Sequence, residues 1–370
     1  MILTAVILIV VLSLLVFVHE FGHFITAKLA GAKVDEFGFG FPPRIAGFKR
    51  GDTLYSINWV PLGGFVRIKG ESGENTKDQD SFANKSLPAR ALIICAGVIM
   101  NVVLAWFVLS VGYVIGLPQV IEDLPASARV VDQKLQVYSV LKDSPAFAAD
   151  LRTGDSIASV DGRTLVDYEQ FREYTGSREG VPISLTVSRE GKLLQKTVTP
   201  RIIAESGRAG AGIAVVETGL VSYPWYLAPV QGLAATWFFV KEIVGAFYGL
   251  LRDLFTTQRV TVEFSGPVGI AIITAEVVRM GFRHLLQFVA LLSVNLAVIN
   301  ILPFPALDGG RLLFLVIERL RRRAVSARIE AMVHNFGFVF LMLLVLVITY
   351  RDMVKFGDRI LSSIGRIFGV

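Results

Sequence analysis

The sequence predicts a polytopic α-helical membrane protein with four transmembrane helices, a β-hairpin that dips into the membrane and one small extramembrane α+β domain. Hydrophobic residues make up 53% of the 370 residues and charged residues only 18%, and the mean hydropathy is +0.58. A chain of this length with so apolar an average is typical of membrane proteins. The apolar residues concentrate in runs long enough, or nearly so, to span a bilayer. These runs are residues 2–30, 91–117, 285–302 and 336–350.

The first apolar run is predicted to be a permanent helix rather than a cleaved signal peptide. It lacks a basic segment before the apolar stretch, and the stretch ends in His-Glu instead of a small-residue cleavage site. The last run is short at about 15 residues, and its flanking residues are expected to extend it. The 20 residues after it, 351–370, form an amphipathic pattern that predicts a segment lying on the membrane surface.

Residues 31–90, after the first span, have the composition of β-hairpins. The stretches "VDEFGFGFPPRIAGF" and "DTLYSINWVPLGGFVRIKG" alternate apolar and polar residues and are punctuated by Gly and Pro. One interpretation is a cytoplasmic loop with some strand. The other is an apolar β-element that enters the membrane beside the first helix, which is tolerable only where its backbone is buried in protein or lines a wet cavity.

The stretch 119–201 has the composition of a soluble domain of about 80 residues. It reads as a strand, an amphipathic helix at "LVDYEQFREY", and a hairpin that turns at Glu190 and Gly191. Residues 223–255 are apolar and aromatic but carry four charges, so they predict either a fifth span or a helix lying in the membrane interface.

Charge and cysteine content exclude several other classes of protein. Much of the net charge of +6 flanks apolar runs, as in "ERLRRRAVSAR", which indicates membrane topology rather than a nucleic-acid surface. Cys95 is the sole cysteine, so neither a disulfide framework nor a thiolate metal site is expected.

The stretch "HEFGH" at residues 19–23 places ionisable groups where a membrane helix favours leucine. On a helix His19 and His23 share a face, and two imidazoles at this spacing provide half of a tetrahedral zinc site. Glu20 would then lie beside the metal as a base for bound water. The alternative is an ordinary polar helix end, but an unpaired carboxylate at membrane depth costs at least about 2.5 kcal/mol.

Asp308 is the candidate for a third ligand. It follows the third apolar run in "NILPFPALDGGRL", where two prolines break the helix and two glycines permit close backbone approach. The alternative role for Asp308 is an N-cap of the next helix. His284 and His334 each precede an apolar run, where a histidine is unremarkable, so both are discounted.

The order of spans restricts the topology. The HExxH motif and Asp308 each lie at the C-terminal end of a span, so they meet only if both spans run in the same direction. An even number of crossings from one site to the other is therefore required, which predicts that residues 223–255 lie in the interface. Basic residues in 28–90 and 311–328 then face the cytoplasm, and the soluble domain and both termini face outward.

Taken together, "HEFGH", "FANKSLPARALIICAG", "FSGPVGIA" and "NILPFPALDGG" resemble the site-2 protease family, closest to its bacterial RseP-type members, over nearly the whole chain. The resemblance implies an intramembrane zinc metalloprotease of a bacterial inner membrane, with Zn²⁺ held by His19, His23 and Asp308 and Glu20 as general base. It also implies that the soluble domain is a PDZ domain. Substrate-binding roles are implied for Asn300, Pro303, Gly38, Phe39 and Gly40, the glycines within a membrane re-entrant β-hairpin that pairs with an extended substrate strand.

The resemblance also implies a single-pass membrane protein as substrate, such as an anti-sigma factor or a remnant signal peptide, after a first cleavage. Membrane lipid is an expected partner, nucleic acid is not, and the PDZ domain is expected to contact substrate or a partner peptide, or only to filter by size. Val98 replaces the proline that the family carries in its second span. The rival functions are a metal transporter and a non-catalytic PDZ-bearing scaffold.

The predicted segments are 1–30 (first span), 31–90 (hairpin region), 91–117 (second span), 118–202 (PDZ domain), 203–284 (linker with interfacial helices), 285–310 (third span), 311–335 (basic loop), 336–350 (fourth span) and 351–370 (surface segment).

Overall fold

The computed structural model describes residues 2–71, 77–164, 167–189, 191–203, 207–256, 266–323 and 325–368. The chain divides into two compact units. The first unit comprises Met1–Leu109, Gly232–Val278 and Leu285–Val370, and the second comprises Ser110–Gln231 with Arg279–His284.

Nine α-helices lie in the described parts of the chain, and five of them are long and apolar enough to cross a membrane. Apolar side chains favour these helices in lipid because a helix satisfies its own backbone hydrogen bonds there. The five candidate spans are α1, α2, α5, α7 and α9. The helices are α1 (Ile2–Leu29), α2 (Leu87–Ile115), α3 (Pro145–Ala148), α4 (Tyr168–Gly176), α5 (Ala228–Thr256), α6 (Pro267–Met280), α7 (Phe282–Ile301), α8 (Asp308–Arg321) and α9 (Ala327–Phe368).

The helices differ from the sequence expectation after the third span. The predicted basic loop 311–335 contains helix α8 and the start of α9, and α9 is continuous through both the predicted fourth span and the predicted surface segment. No helix-breaking proline or glycine pair interrupts the chain beyond residue 327, so the backbone continues as one helix. Helix α5 coincides with the segment that was predicted to be interfacial, and its length and composition also allow it to span.

Two long strands, β1 (Val34–Arg50) and β2 (Thr53–Ile68), follow α1 and confirm the β-character of this region. They pair antiparallel, with Arg50 opposite Thr53 and Val34 opposite Ile68. Between these ends residues 36–39 have partners on both sides, residues 54–57 on one and residues 64–67 on the other. The strands are therefore folded so that 36–39 lies in the interior of the sheet and 64–67 lies at an edge.

The hairpin is attached to the helices by a buried apolar cluster. Ala27 of α1, Val34 and Ile68 of the hairpin, Ile93 of α2 and Leu315 of α8 all belong to it, and each is less than about one-tenth exposed. Farther along the hairpin, large apolar side chains are exposed, which fits a β-element surrounded by lipid or by a substrate. They include Phe41, Ile45, Phe48, Ile57 and Trp59.

The second unit contains a six-stranded antiparallel sheet in the order β3-β10-β4-β5-β6-β7. Its core is a cluster of buried hydrophobic residues that includes Phe171 of α4. The predicted hairpin at Gly191 is present as β6 and β7, and the predicted amphipathic helix is α4. The strands are β3 (Leu117–Val120), β4 (Arg129–Val140), β5 (Ser156–Val160), β6 (Ile183–Arg189), β7 (Lys192–Val198), β8 (Arg201–Ile203), β9 (Arg208–Gly210) and β10 (Ile213–Ser222).

Strand β10 moves the end of this domain beyond the predicted boundary at residue 202. It lies between β3 and β4, with Leu220 opposite both Pro118 and Val131, so it is integral to the sheet. Because β10 pairs with strands far earlier in the chain, local sequence patterns did not indicate its membership. The domain therefore extends to residue 222.

Candidate metal centre and its surroundings

The two histidines of the HExxH motif lie one helical turn apart on α1 and are both buried. Their Nε2 atoms are 3.1 Å apart, so the two rings converge as the helical spacing predicts. Asp308, the first residue of α8, completes the group: its Oδ2 lies 3.0 Å from Nε2 of His19 and 3.3 Å from Nε2 of His23. Among the described residues these three form a group whose ligand atoms all lie within 4.8 Å of one another. We refer to His19, His23 and Asp308 as the ligand cluster.

The hydrogen bonds of the rings leave acceptors facing one another at the centre of the ligand cluster. Nδ1 of His23 lies 2.8 Å from the carbonyl oxygen of Ile93, so Nδ1 carries the proton and donates it. Nε2 then presents a lone pair to the centre, where it faces a carboxylate oxygen of Asp308 that has no hydrogen-bond donor. Buried acceptors that face one another in this way are stabilised by a positive ion between them, and two imidazoles with a carboxylate are a zinc ligand set.

Asn101 orients the second imidazole. Its side-chain amide lies 3.3 Å from Nδ1 of His19, and Asn101 itself is fully buried on α2. With the amide turned so that its oxygen faces the ring, His19 donates from Nδ1 and keeps Nε2 free for a metal. This orientation also gives a partner to Oδ1 of Asn101, which otherwise has none among the described residues. Such outer contacts fix the tautomer and direction of a metal-binding histidine.

Two glycines bring α1 and α2 close enough to enclose the ligand cluster. A Cβ atom on Gly97 of α2 would lie 2.6 Å from Cε1 of His19 and would overlap Nε2 of His23. A Cβ atom on Gly22 of α1 would overlap the carbonyl oxygen of Ala96. Only glycine leaves space for the backbones and the two rings at this crossing.

Glu20 lies beside the ligand cluster without belonging to it. Its carboxylate Oε2 accepts a hydrogen bond of 3.1 Å from the backbone N–H of Val66 in β2. Glu20, His23 and Asp308 line the same cavity, whose volume is about 430 Å³. A carboxylate that faces a cavity next to a metal site can take a proton from a water molecule or substrate held there.

The residues expected to bind substrate are distributed differently. Asn300 is half-buried in the last turn of α7, Pro303 is exposed in the turn that follows, and neither lines the 430 Å³ cavity. Gly38 and Phe39 lie in the interior of the hairpin, opposite residues on both sides, and Gly40 follows with φ of +75°. The backbone of Gly38 and Phe39 is thus engaged within the sheet and provides no free edge for a substrate strand.

Sequence reasoning missed the roles of Gly97 and Asn101, although both lie in the stretch noted for its missing proline. The two are four residues apart on α2 and therefore share the face that meets α1. A polar residue one turn from a glycine in an apolar helix was the available signal. It could not show which other helix would approach.

Comparison with known proteins finds matches that cover most of the chain. The model of "Peptidase family M50" matches residues 7–344. The "Zinc metalloprotease RasP" of Geobacillus kaustophilus is 32% identical over 94% of this chain and 97% of the relative. The "Regulator of sigma-W protease RasP" of Bacillus subtilis is 29% identical over 95% and 98% of the two chains.

A likeness to a solved structure is confined to a smaller part of the chain. The crystal structure of the PDZ domain of an SdrC-like protein from Listeria monocytogenes is 28% identical. The match covers 24% of this chain and 92% of the solved chain, with a TM-score of 0.22.

Proposed function

Because this chain belongs to peptidase family M50 and is an intramembrane zinc metalloprotease, we propose that the ligand cluster holds its catalytic zinc ion and that Glu20 is its general base. The observation that carries this proposal is the convergence of two buried imidazole nitrogens and a carboxylate oxygen, 3.0 to 3.3 Å apart, beside a second carboxylate. Polar groups in or beside a membrane-spanning helix need polar partners, and one metal ion would be a partner for all three ligands.

The reaction is hydrolysis of a peptide bond within the membrane. When bound, zinc would polarise the scissile carbonyl and lower the pKa of a water molecule. Glu20 takes the proton from the attacking water and passes it to the leaving nitrogen, which is the role of a carboxylate placed next to, but outside, the ligand cluster. The N–H of Val66 holds one oxygen of Glu20 and so orients the carboxylate toward the cavity that both groups line.

The edge of the hairpin at residues 64–67 is the proposed binding site for substrate backbone. Residues 64–67 have β1 on one side, and no described strand lies on their other side. The N–H of Val66 points outward from this edge to Glu20. A substrate segment that unwinds and pairs with this edge would run past the general base, and strand addition would stabilise its extended form. Gly38, Phe39 and Gly40 then support the edge from within the sheet, and Asn300 and Pro303 remain candidates for contacts with substrate on the side of α7.

The chain is a membrane protein, and we propose that four of its five candidate spans cross: α1, α2, α7 and α9. Tyr223, just before α5, donates its N–H to the carbonyl of Tyr113 near the C-terminal end of α2. At the other end of α5, the start of α6 binds Asp352 of α9. Tyr113 lies about 24 Å along α2 from Gly97, and Asp352 about 27 Å along α9 from His334, each nearly a membrane thickness.

These two contacts support an interfacial α5. Helices α2 and α9 both begin close to α8 in the chain or in space, since Arg90 of α2 pairs with Glu318 of α8 at 3.2 Å and α9 follows α8 directly. The two ends of the segment that contains α5 thus lie far along α2 and α9 from the starts of these helices near α8. Because α2 and α9 start on the same membrane face and each is proposed to cross once, both ends of the segment lie on the opposite face. The segment between them must then cross the membrane an even number of times, which leaves α5 in the interface. The basic residues around α8 favour the cytoplasm for the shared face, so the second unit and both termini would lie outside.

The substrate is proposed to be a single-pass membrane protein, such as an anti-sigma factor or a remnant signal peptide, after a first cleavage. The name of the Bacillus subtilis relative, a regulator of sigma-W, supports the first of these classes. We further propose that the six-stranded domain is a PDZ domain that restricts access to the membrane site by size. Its strand and helix order, with α4 packed on the sheet, is compatible with that fold.

Replacement of Glu20 tests the proposal most directly. Glu20→Gln retains the shape of the side chain and removes its basicity. Cleavage of a model single-pass substrate in detergent or proteoliposomes should therefore fall by about 10²-fold or more, while zinc content stays at wild-type level. Glu242→Gln on the exposed side of α5 is the matched control. Wild-type cleavage by the Glu20 variant would contradict the assignment, as would undiminished zinc binding after Asp308→Ala.

A further inference from the structure

Helix α9 contacts the turn that immediately precedes Asp308, and one of these contacts involves a histidine that lies outside the ligand cluster. The backbone N–H of Ala306 donates a hydrogen bond of 3.0 Å to Nδ1 of His334. Ala306 has φ of +75°, in the left-handed region that a residue with a side chain adopts at a cost of about 1–2 kcal/mol. The turn therefore needs contacts that stabilise this backbone conformation, and His334 provides one.

The hydrogen bond also determines the protonation of the ring. A backbone N–H can only donate, so Nδ1 of His334 is the acceptor and the proton of the neutral imidazole is on Nε2. Nε2 is buried and has no hydrogen-bond partner in the part of the chain that the structure describes. The ring also contacts Phe314, with centroids 5.6 Å apart. The polar contact of His334 is thus directed at the turn.

Two other residues on the same face of α9 contact the same turn. A Cβ atom on Gly337 would lie 2.6 Å from the carbonyl oxygen of Pro305, so only glycine permits this approach. The ring of Phe340 lies 5.7 Å from that of Phe304. Positions three residues apart share a helix face, and here they meet three consecutive residues of the turn. This face of α9 contacts the turn along residues 304–306, and His334 makes the hydrogen bond among these contacts.

We propose that His334 is a positioning residue that sets the location of Asp308 in the metal site. Asp308 follows Ala306 by two residues, so the backbone held by His334 directs the carboxylate toward the two histidines of the ligand cluster. Zinc sites tolerate deviations of only about 0.2 Å in ligand distance. A turn that relaxes when its N–H loses an acceptor would exceed that tolerance. This inference rests on the proposed zinc site, and it assigns His334 no contact with substrate or metal.

The test compares three substitutions in the full-length protein in detergent. His334→Ala removes the acceptor, His334→Asn places an amide oxygen close to the position of Nδ1, and His334→Gln places it nearer to that of Nε2. The apparent zinc affinity is measured by competition with a chelator, and kcat and KM are measured at saturating zinc. His284→Ala is the matched control, because it removes the other histidine that lies outside the ligand cluster.

We expect zinc affinity to fall by about 10- to 100-fold in the Ala and Gln variants, to return to within about threefold of wild type in the Asn variant, and to stay unchanged in the His284 control. His334 lines the same cavity as Asp308, so a change of more than about threefold in KM at saturating zinc would indicate a contact with substrate and contradict a purely positioning role. Unchanged zinc affinity in His334→Ala would overturn the proposal, and equal losses in the Asn and Gln variants would show that ring packing, not the acceptor, matters. If the Ala variant does not fold, the Asn and Gln pair still decides the question. Failure of the zinc site itself would appear separately, as wild-type zinc binding after Asp308→Ala.

Discussion

Substitution of Gly97 by alanine should destroy the metal site while leaving the membrane helices folded. The new Cβ would lie 2.6 Å from Cε1 of His19, whereas carbon atoms in contact are ordinarily about 3.5 Å apart. The imidazole would have to move by about 0.9 Å, which is several times the tolerance of about 0.2 Å in a zinc–ligand distance. We therefore expect zinc affinity to fall by about 100-fold or more, equivalent to at least about 2.8 kcal/mol.

The assay is zinc content of the purified variant after equilibration with a graded series of chelator concentrations, accompanied by cleavage of a model membrane substrate. Gly245→Ala is the control, because a Cβ at that position of α5 would meet open space. Helix content by circular dichroism should be preserved in both variants, since alanine favours helices over glycine. Wild-type zinc retention in Gly97→Ala would refute the close approach of α2 to the two histidines.

Three further outcomes follow from other contacts. Asn101→Ala should weaken zinc binding by about 10- to 100-fold in the same chelator assay, because His19 loses the partner that fixes its tautomer. Asp352→Ala should destabilise the protein by about 1.5–3 kcal/mol in thermal unfolding, and Asp352→Asn by less, because the carboxylate accepts the N–H of Gly269 at 2.7 Å in a buried site. The pKa of Asp161 is held below its ordinary value by the N–H of Ser184 and a tyrosine hydroxyl, so the stabilisation it gives is complete above about pH 5 and is lost as the pH falls through that lowered pKa. Hydrogen-exchange protection of β6, corrected for intrinsic rates, should show this acid loss in the wild type and a smaller one in Asp161→Asn.

The convergence of the three proposed metal ligands could be predicted from the sequence because its signals are local or lie in one short motif. The spacing of His19 and His23 is that of one helical turn, and the structure places both rings at one centre. Asp308 is distant in sequence, but the prolines and glycines around it after the third apolar run made it the candidate, and its carboxylate lies 3.0 Å from His19. The alternative in which Asp308 serves only as an N-cap is not needed, because α8 begins at Asp308 itself with Leu307 in the cap position.

The residues that position these ligands could not be predicted in the same way. His334 was discounted because a histidine at the edge of an apolar run is common, and its hydrogen bond joins α9 to a turn 28 residues earlier in the chain. Gly97 lies in an apolar helix where glycine has several packing roles. In both cases the role depends on which helices meet, and a single sequence carries no periodic signal for that.

In the hairpin and in the six-stranded domain, sequence patterns likewise predicted local elements but not which strands pair. Alternation of apolar and polar residues predicts strands in 31–90. Residues 36–39, however, pair with 54–57 on one side and with 64–67 on the other. Because this double pairing depends on how the strands bend back on one another, alternation could not predict that Gly38 and Phe39 lie in the interior of the sheet. The strand β10 joins the sheet next to β3 and β4, across more than 70 intervening residues. Pairings of this kind depend on how the whole sheet assembles, and local patterns do not report them.

At the ligand cluster a bound metal ion would be a cross-link between distant parts of the sequence. Its histidines come from the first helix, and its carboxylate comes from the first residue of α8, directly after a turn that α9 contacts. A bound ion would close a loop that contains most of the chain, and closing so long a loop restricts the unfolded state strongly. Loss of the ion would then be felt far from the scissile bond, as increased opening of α8 and α9. The three side chains proposed to hold the catalytic ion would also join the first helix to α8 and, through the turn that α9 contacts, to the last helix.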